Sequence, residues 1–153
     1  MAISAPGMIG SMSIEVIYTA ESTASGAGRD GHVKSSDDRI DLDTRPPKAA
    51  GGSGEGTNPE QLFSAGYAAC FLGAIQVVAR TEKLTLDGAS AVTAQVGFGK
   101  DADGGYGINA RLIGYLPGLE QEQAQELMDK AHQVCPYSKA TRGNIDVTLT
   151  AKV

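Results

Sequence analysis

The stretch that most constrains this chain runs from Asn58 to Arg80 and is its most apolar segment. Asn58 is a favourable N-cap, Pro59 suits the first helical position because its missing N–H would have no helical partner there, and Glu60 adds negative charge beside the positive helix end. From Leu62 onward apolar residues occupy nearly every face, which a solvated surface helix does not tolerate. The sequence therefore predicts a central buried helix around which the remaining elements pack.

The length of 153 residues and the hydrophobic fraction of 41% predict a single domain, which we place at 13–153. The first twelve residues, 1–12, have neither a basic start nor an unbroken apolar run, so they predict a flexible lead and not a signal peptide. No membrane span is predicted, and the expected compartment is the cytoplasm.

The formal charge of -5 argues against nucleic-acid partners. The absence of a C-x-x-C or H-E-x-x-H motif argues against a zinc site.

The spacing of apolar residues along the chain alternates between patterns typical of strands and patterns typical of helices. Alternating or β-branched runs predict strands, an apolar stripe from Glu120 to Val134 predicts a second helix, and Asp103-Gly104 predicts a type I′ hairpin turn. The resulting fold class is α+β with mainly antiparallel sheet. The predicted strands are 14–19, 32–35, 39–43, 91–98, 106–116 and 145–153.

The two cysteines, Cys70 and Cys135, stand in marked places. Cys70 lies inside the apolar stretch, and Cys135 closes the second helix just before Pro136, where a helix ends and the sulfur is expected at an exposed edge. A two-cysteine chain in a reducing cytosol favours redox or catalytic chemistry over a permanent disulfide. The alternative is an inert pair, since free cysteine is among the most buried residue types.

Five motifs occur in order along the chain. They are Tyr18-Thr19-Ala20, Gly28-Arg29-Asp30-Gly31, Gly56 to Phe63, Ala65 to Phe71, and Val134-Cys135-Pro136-Tyr137-Ser138 through Ile145. Together they resemble the organic hydroperoxide resistance (Ohr) branch of the OsmC-like family, and the resemblance covers nearly the whole chain after Ser13. The loop before Arg29 is about one residue longer than is usual in the family.

The resemblance implies an OsmC-like fold, an intertwined homodimer with sites at the subunit interface, and a thiol-dependent peroxidase that reduces organic and fatty-acid hydroperoxides to alcohols. By position it makes Cys70 the peroxidatic nucleophile, Cys135 the resolving thiol, and Arg29 with Glu60 the polar pair that activates Cys70. It implies no metal, flavin or haem. It also implies dihydrolipoamide or a lipoylated protein, reduced by dihydrolipoamide dehydrogenase, as the source of electrons.

The residues support the same chemistry without the family. Thiolate attack on a peroxide oxygen needs Cys70 ionised near neutral pH, although a free cysteine has a pKa of about 8.5 and apolar neighbours raise it. A cation is therefore required, and Arg29 is the best candidate because its guanidinium stays charged. The alternative for Arg29 is a solvated residue in an ordinary glycine-rich hairpin turn.

One straight helix would place Glu60 roughly 15 Å from Cys70 along its axis. The helix therefore breaks near Gly66-Tyr67, or Glu60 reaches Cys70 only through the side chain of Arg29, or Glu60 comes from the partner subunit. We favour the break, which would also put Cys70 in the first turn of a new helical segment.

Apolar residues near the cysteines are candidates to line a pocket for the alkyl part of a hydroperoxide, with ordinary core packing as an equal alternative. They are Leu62, Phe63, Tyr67, Phe71 and Tyr137.

Other functions stay open on the sequence. The runner-up is an OsmC-type peroxidase with another peroxide or reductant preference. A redox sensor or small-ligand binding module would oxidise Cys70 once without turnover. A Cys-His acyl hydrolase using His132 and Cys135 is the least favoured, because no third orienting residue accompanies the pair.

Overall fold

The structure is a computed structural model that describes residues 13–153, so the predicted flexible lead, 1–12, lies outside the described residues. The described residues form two three-stranded sheets and one long helix, with two shorter helices between the last two strands. The elements are β1 (Ser22–Gly26), β2 (Gly31–Ser35), β3 (Asp41–Thr44), a 3-10 turn (Lys48–Ala50), α1 (Pro59–Thr81), β4 (Ala91–Lys100), β5 (Tyr106–Tyr115), α2 (Gln121–Val134), α3 (Pro136–Thr141) and β6 (Val147–Lys152).

The first sheet has the order β1-β2-β3, and the second has the order β4-β5-β6. All pairings are antiparallel except that of β5 with β6, whose connection passes through α2 and α3. A parallel pair needs such a long crossover, whereas the antiparallel pairs are joined by short loops. The predicted α+β class with mainly antiparallel sheet is confirmed.

Helix α1 begins at Pro59 and has Asn58 as its N-cap, as predicted. The Asn58 side chain accepts a hydrogen bond from the Gln61 N–H at 2.8 Å, and the Gln61 side chain accepts one from the Asn58 N–H at 3.2 Å. This reciprocal capping box satisfies two N–H groups that have no helical partner. One face of α1 joins α2 and the second sheet in the core. Its buried residues are Tyr67, Phe71, Ala74, Ile75, Val78 and Ala79.

By length and composition alone α1 is also apolar enough to cross a membrane. The sequence predicted no such segment. The core helix of a folded domain meets the same criterion, and the buried face of α1 has that role here.

The predicted first strand is wrong. Residues 14–19 form no strand, and the first strand starts at Ser22. Among residues 13–153, β1 pairs only with β2, and Ile14 and Ile17 are 76% and 99% exposed. A β-branched run has strand propensity, but a strand forms only where another edge offers backbone hydrogen bonds.

The hairpin turn between β4 and β5 is in the predicted place but is not type I′. Gly104 has a φ of +83°, whereas Asp103 does not have the positive φ that a type I′ turn requires. The Asp101 carboxylate accepts hydrogen bonds from the N–H groups of Asp103 and Gly105 at 3.0 and 2.8 Å. These bonds stabilise a wider loop that ends in a left-handed glycine.

Candidate active site

The two cysteine sulfurs face each other. The Cys135 thiol donates to the Cys70 sulfur across 3.3 Å, and both cysteines are free. Cys70 lies midway along α1, while Cys135 occupies the single-residue junction between α2 and α3. A disulfide bond is about 2.05 Å long, so a small side-chain movement would join the two sulfurs.

Cys135 has no exposed surface, so the predicted exposed edge is wrong. The chain does not turn away at Pro136. Pro136 is instead the first residue of α3, a position where its missing N–H costs nothing. The new helix folds back over the Cys135 sulfur and buries it against α1.

Burial raises the pKa of the Cys70 thiol. The backbone N–H of Tyr137, which donates to the sulfur, lowers this pKa, and the neighbouring Cys135 raises it. Within one chain the balance disfavours the reactive thiolate. In the folded chain Cys70 therefore still needs a nearby cation to ionise near neutral pH.

The predicted helix break near Gly66 is wrong, because α1 is continuous from Pro59 to Thr81. The reason for glycine at this position is a close contact. A Cβ on Gly66 would lie 2.8 Å from the Tyr137 hydroxyl and 3.1 Å from Tyr137 Cε2. Gly66 thus lets α3 approach α1 closely. Its role is to permit this packing and not to break the helix.

Arg29 and Glu60 form the predicted ion pair. Arg29 Nη2 donates to Glu60 Oε1 at 2.8 Å, and Nη1 donates to Oε2 at 3.2 Å. This paired geometry lowers the pKa of Glu60 and raises that of Arg29. The Glu60 side chain is 15% exposed and that of Arg29 is 51% exposed, so the carboxylate is the anchored partner.

The ion pair and the cysteine pair are separate in this chain. Glu60 and Cys70 stand on one continuous helix, which separates them by roughly 15 Å along its axis. Among the described residues, the groups that act on the Cys70 sulfur are Tyr137 and Cys135, not Arg29. Neither a helix break nor the reach of Arg29 joins the two pairs within one chain.

Thr44 holds the loop that carries Arg29. Its hydroxyl accepts a hydrogen bond from the Gly31 N–H at 2.9 Å and donates one to the Gly28 carbonyl at 2.6 Å. Thr44 is 3% exposed, so these bonds are shielded from water. The loop that carries Arg29 is therefore tied at its base. Nothing in the sequence indicated this role for Thr44 beyond its position at the end of β3.

An open cleft of about 1080 Å³ borders the ion pair. Arg29 and Glu60 lie on its wall together with apolar groups from the 3-10 turn and from β4, and neither cysteine lines it. The guanidinium is therefore accessible from outside the chain.

The five predicted pocket residues divide into two layers. Tyr67 and Phe71 have no exposed surface and belong to the core, which supports the packing alternative for these two. Phe63 and Leu62 are partly buried, and Tyr137 is 40% exposed. The Phe63 and Tyr137 rings lie 6.1 Å apart, and each contacts the buried Tyr67 ring.

A buried hydroxyl cluster beneath the cysteines was not predicted. The Tyr67 hydroxyl lies 2.8 Å from Ser138 Oγ and 3.0 Å from Thr141 Oγ1. It ties α3 to α1, although 71 and 74 residues of chain separate the partners. The sequence placed Ser138 within a motif, but nothing in its pattern paired it with Tyr67.

His132 forms no Cys-His pair. Its Nδ1 is buried without a hydrogen-bond partner, and burial lowers the pKa of its imidazole. Among the described residues, the Cys135 thiol donates to the Cys70 sulfur and forms no hydrogen bond with His132. In residues 13–153 no group of three or more His, Cys, Asp or Glu side chains could hold a metal ion.

Two free thiols, 3.3 Å apart, thus lie in a two-sheet α+β domain. Comparison with known proteins gives the family. Residues 52–150 match the family described as OsmC-like protein. An organic hydroperoxide resistance protein of Xanthomonas axonopodis pv. citri (strain 306) is 54% identical over 137 residues, which are 89% of this chain and 95% of the relative.

Two solved structures agree with this result. The crystal structure of an organic hydroperoxide resistance protein from Legionella pneumophila superposes with a TM-score of 0.85 at 44% identity, covering 91% of this chain and 100% of that chain. OhrB of Bacillus subtilis superposes with a TM-score of 0.81 at 49% identity, covering 90% and 100%. The chain belongs to the OsmC-like family, in its organic hydroperoxide resistance branch.

Proposed function

We propose that this chain is a cysteine-dependent peroxidase that reduces organic hydroperoxides, including those of fatty acids, to alcohols. The observation that carries the proposal is the 3.3 Å approach of the Cys70 and Cys135 sulfurs in a branch whose members are named for resistance to organic hydroperoxides. The reaction removes a damaging oxidant, and we assign it to the cytoplasm, where free thiols are maintained.

In the first step the Cys70 thiolate attacks one peroxide oxygen. The O–O bond breaks, the alkoxide leaves and takes up a proton to become the alcohol, and Cys70 becomes a sulfenic acid. In the second step the Cys135 thiol attacks the Cys70 sulfur, which forms a disulfide and releases water. The buried contact between the two sulfurs favours this rapid closure and protects Cys70 from irreversible sulfinic acid.

An external dithiol then reduces the disulfide and is itself oxidised to a disulfide. We propose dihydrolipoamide, free or attached to a lipoylated protein, for this role. No metal, flavin or haem takes part in the proposed cycle.

The thiolate needs Arg29, and we propose that the Arg29 of a partner subunit supplies the charge. A continuous α1 and the separate placement of the two pairs favour the route in which Glu60 comes from the partner subunit, together with the Arg29 that it binds. The accessible guanidinium, held by Glu60 at the wall of an open cleft, suits such an arrangement. The functional unit would then be a homodimer with two shared sites.

Leu62, Phe63 and Tyr137 are the residues that we assign to substrate contact. They are the partly exposed members of the apolar group, and Tyr137 also donates its N–H to the Cys70 sulfur. Tyr67 and Phe71 form the buried layer that supports them.

Steady-state turnover with dihydrolipoamide tests the chemistry. We expect tert-butyl hydroperoxide to be consumed faster than hydrogen peroxide, Cys70→Ser to abolish turnover, and Cys135→Ser to stop after one cycle. Equal rates for the wild type and Cys70→Ser would refute the peroxidase. A single oxidation without turnover in the wild type would favour a redox sensor.

Mixed dimers test the shared site. Cys70→Ser chains and Arg29→Ala chains are each expected to be inactive alone. Coexpressed, they would form hybrid dimers in which one site combines an intact Cys70 with an intact Arg29 from the other chain. Recovery of activity supports action between subunits, and no recovery in verified hybrid dimers refutes it.

A further inference from the structure

The aromatic ring of Phe98 lies against the face of the Arg29 guanidinium. The Arg29 Cζ atom is 4.8 Å from the centre of this ring, within the range of a cation–π contact. Phe98 belongs to β4, whereas Arg29 belongs to the loop between β1 and β2, so the contact joins the two sheets. None of the roles assigned above uses Phe98.

Arg29 needs such a contact because its surroundings leave it free to move. Its side chain is half exposed, and positive φ angles occur at Gly28 in its loop and at Gly26 at the end of β1. Thr44 holds the loop backbone, and Glu60 holds one edge of the guanidinium. Neither contact prevents the guanidinium plane from rotating about the axis of its two hydrogen bonds to Glu60. A ring against the face supplies that restraint.

Phe98 is itself held in place by a second ring. Tyr106 stacks on it with a centroid distance of 5.3 Å and an interplanar angle of 12°. The two residues are diagonal neighbours, because Phe98 pairs with Ile108 in the antiparallel register of β4 and β5. Phe98 is nevertheless 44% exposed, which is more than a core role requires.

We propose that Phe98 is a positioning residue, whose ring holds the Arg29 guanidinium in the orientation in which it stabilises the Cys70 thiolate. The proposal rests on the proposed peroxidase function. Phe98 acts through Arg29 and contacts neither the peroxide nor the sulfur.

Two substitutions of Phe98 distinguish the effect of its aromatic ring from the effect of its side-chain volume. Phe98→Leu keeps an apolar side chain but removes the ring, while Phe98→Tyr keeps the ring. We expect Phe98→Leu to lower kcat/KM about fivefold, the effect of losing one exposed cation–π contact, and Phe98→Tyr to stay within about twofold of the wild type. Phe98→Leu should also raise the pH at which Cys70 becomes reactive toward an alkylating agent, since Arg29 would be in place less often.

Lys100→Ala is the matched control. Lys100 lies 5.6 Å from the centre of the Tyr106 ring in the same hairpin, so this variant removes a comparable contact that does not involve Arg29. We expect its kcat/KM and its Cys70 pH profile to match those of the wild type.

A readout independent of turnover is the NMR signal of the Arg29 Nε–H group. A ring against the guanidinium should shift this signal upfield, and Phe98→Leu should remove the shift while Phe98→Tyr retains it. Equal signals and equal rates in the wild type and Phe98→Leu would overturn the proposal, as would equal losses in Phe98→Leu and Phe98→Tyr. An inactive wild type with the shift present would refute the peroxidase and leave the contact established.

Discussion

Tyr67 is the residue that connects the helix bearing Cys70 to the one that follows Cys135. Its hydroxyl is shared by Ser138 and Thr141 in a site with almost no exposed surface. Three polar groups at such depth are tolerated because each satisfies another. The position of the Cys135 sulfur depends on this cluster, since α3 begins at the next residue.

We expect Tyr67→Phe to lower the free energy of unfolding by about 1–3 kcal/mol, because it leaves buried hydroxyl groups without a partner. Urea denaturation measures the change. Tyr137→Phe is the control, since Tyr137 is 40% exposed and its hydroxyl forms no hydrogen bond with the described residues. Its removal should change the free energy of unfolding by less than about 0.5 kcal/mol. Equal losses in the two variants would contradict this role for the cluster.

Two glycines of α1 provide a matched comparison of packing and helix propensity. Alanine is preferred to glycine in a helix interior by about 1 kcal/mol. Gly66→Ala should nevertheless fail to stabilise the protein, because its methyl group would lie 2.8 Å from the Tyr137 hydroxyl. The displaced Tyr137 would also slow closure of the disulfide.

Gly73→Ala is the counterpart, because no heavy atom lies within 4 Å of its added methyl group. We expect it to raise the free energy of unfolding by about 0.5–1 kcal/mol in chemical denaturation. Stabilisation by Gly66→Ala would contradict the close contact with Tyr137. A loss at Gly73 would instead show that another subunit covers this face of α1.

The strand pair β2 and β3 contains a histidine between two carboxylates. His32 Nδ1 lies 2.8 Å from Asp43 Oδ1, and His32 Nε2 lies 2.6 Å from Asp41 Oδ1. Hydrogen bonds to Asp43 and Asp41 raise the pKa of His32. A raised histidine pKa contributes stability that is complete below the unfolded value of about 6.5 and is lost as the pH rises through the higher folded value.

The difference in Tm between the wild type and His32→Gln should therefore shrink as the pH rises from about 6 to about 9. Thermal scans at several pH values measure it. A difference that stays constant over this range would show that the charge on His32 does not stabilise the pair of strands.

At the scale of the whole molecule, the chain leaves an extended apolar segment uncovered. Ile14, Val16, Ile17 and Tyr18 are 62–99% exposed, and Val77 on α1 is 45% exposed. Such a concentration of exposed apolar side chains is typical of an interaction surface. It agrees with the proposed homodimer, in which residues 14–19 would find the partner edge that they lack within one chain.

We expect Ile17→Asp to shift the protein toward monomers in sedimentation velocity, because the variant would bury a charge in the interface. The loss of activity should follow the loss of dimers, since Arg29 would no longer reach Cys70. Val153→Asp, at an apolar residue outside the segment that is also exposed, is the control and should leave the sedimentation profile unchanged. Dimers of unaltered stability in Ile17→Asp would exclude this segment from the interface.

Helix caps and the spacing of apolar residues in the sequence determined where most helices and strands form. The cap at Asn58, the apolar run of α1, the stripe of α2 and the alternation of β4, β5 and β6 depend on neighbours within a few residues. They therefore predicted the α+β class and most element positions. The motifs around Cys70 and Cys135 also identified the two sulfurs that the fold brings together.

The tertiary structure decided what depends on contacts between distant residues. Gly66 has its place because Tyr137 packs on it, Cys135 is buried because α3 folds back, and Arg29 meets Phe98 because two separate sheets adjoin. Residues 14–19 show the same limit, since strand propensity is expressed only where a pairing edge exists. The local pattern of residues determines the propensity of a segment for helix or strand. Burial, strand register and the separation of Arg29 from Cys70 depend instead on how the whole chain packs.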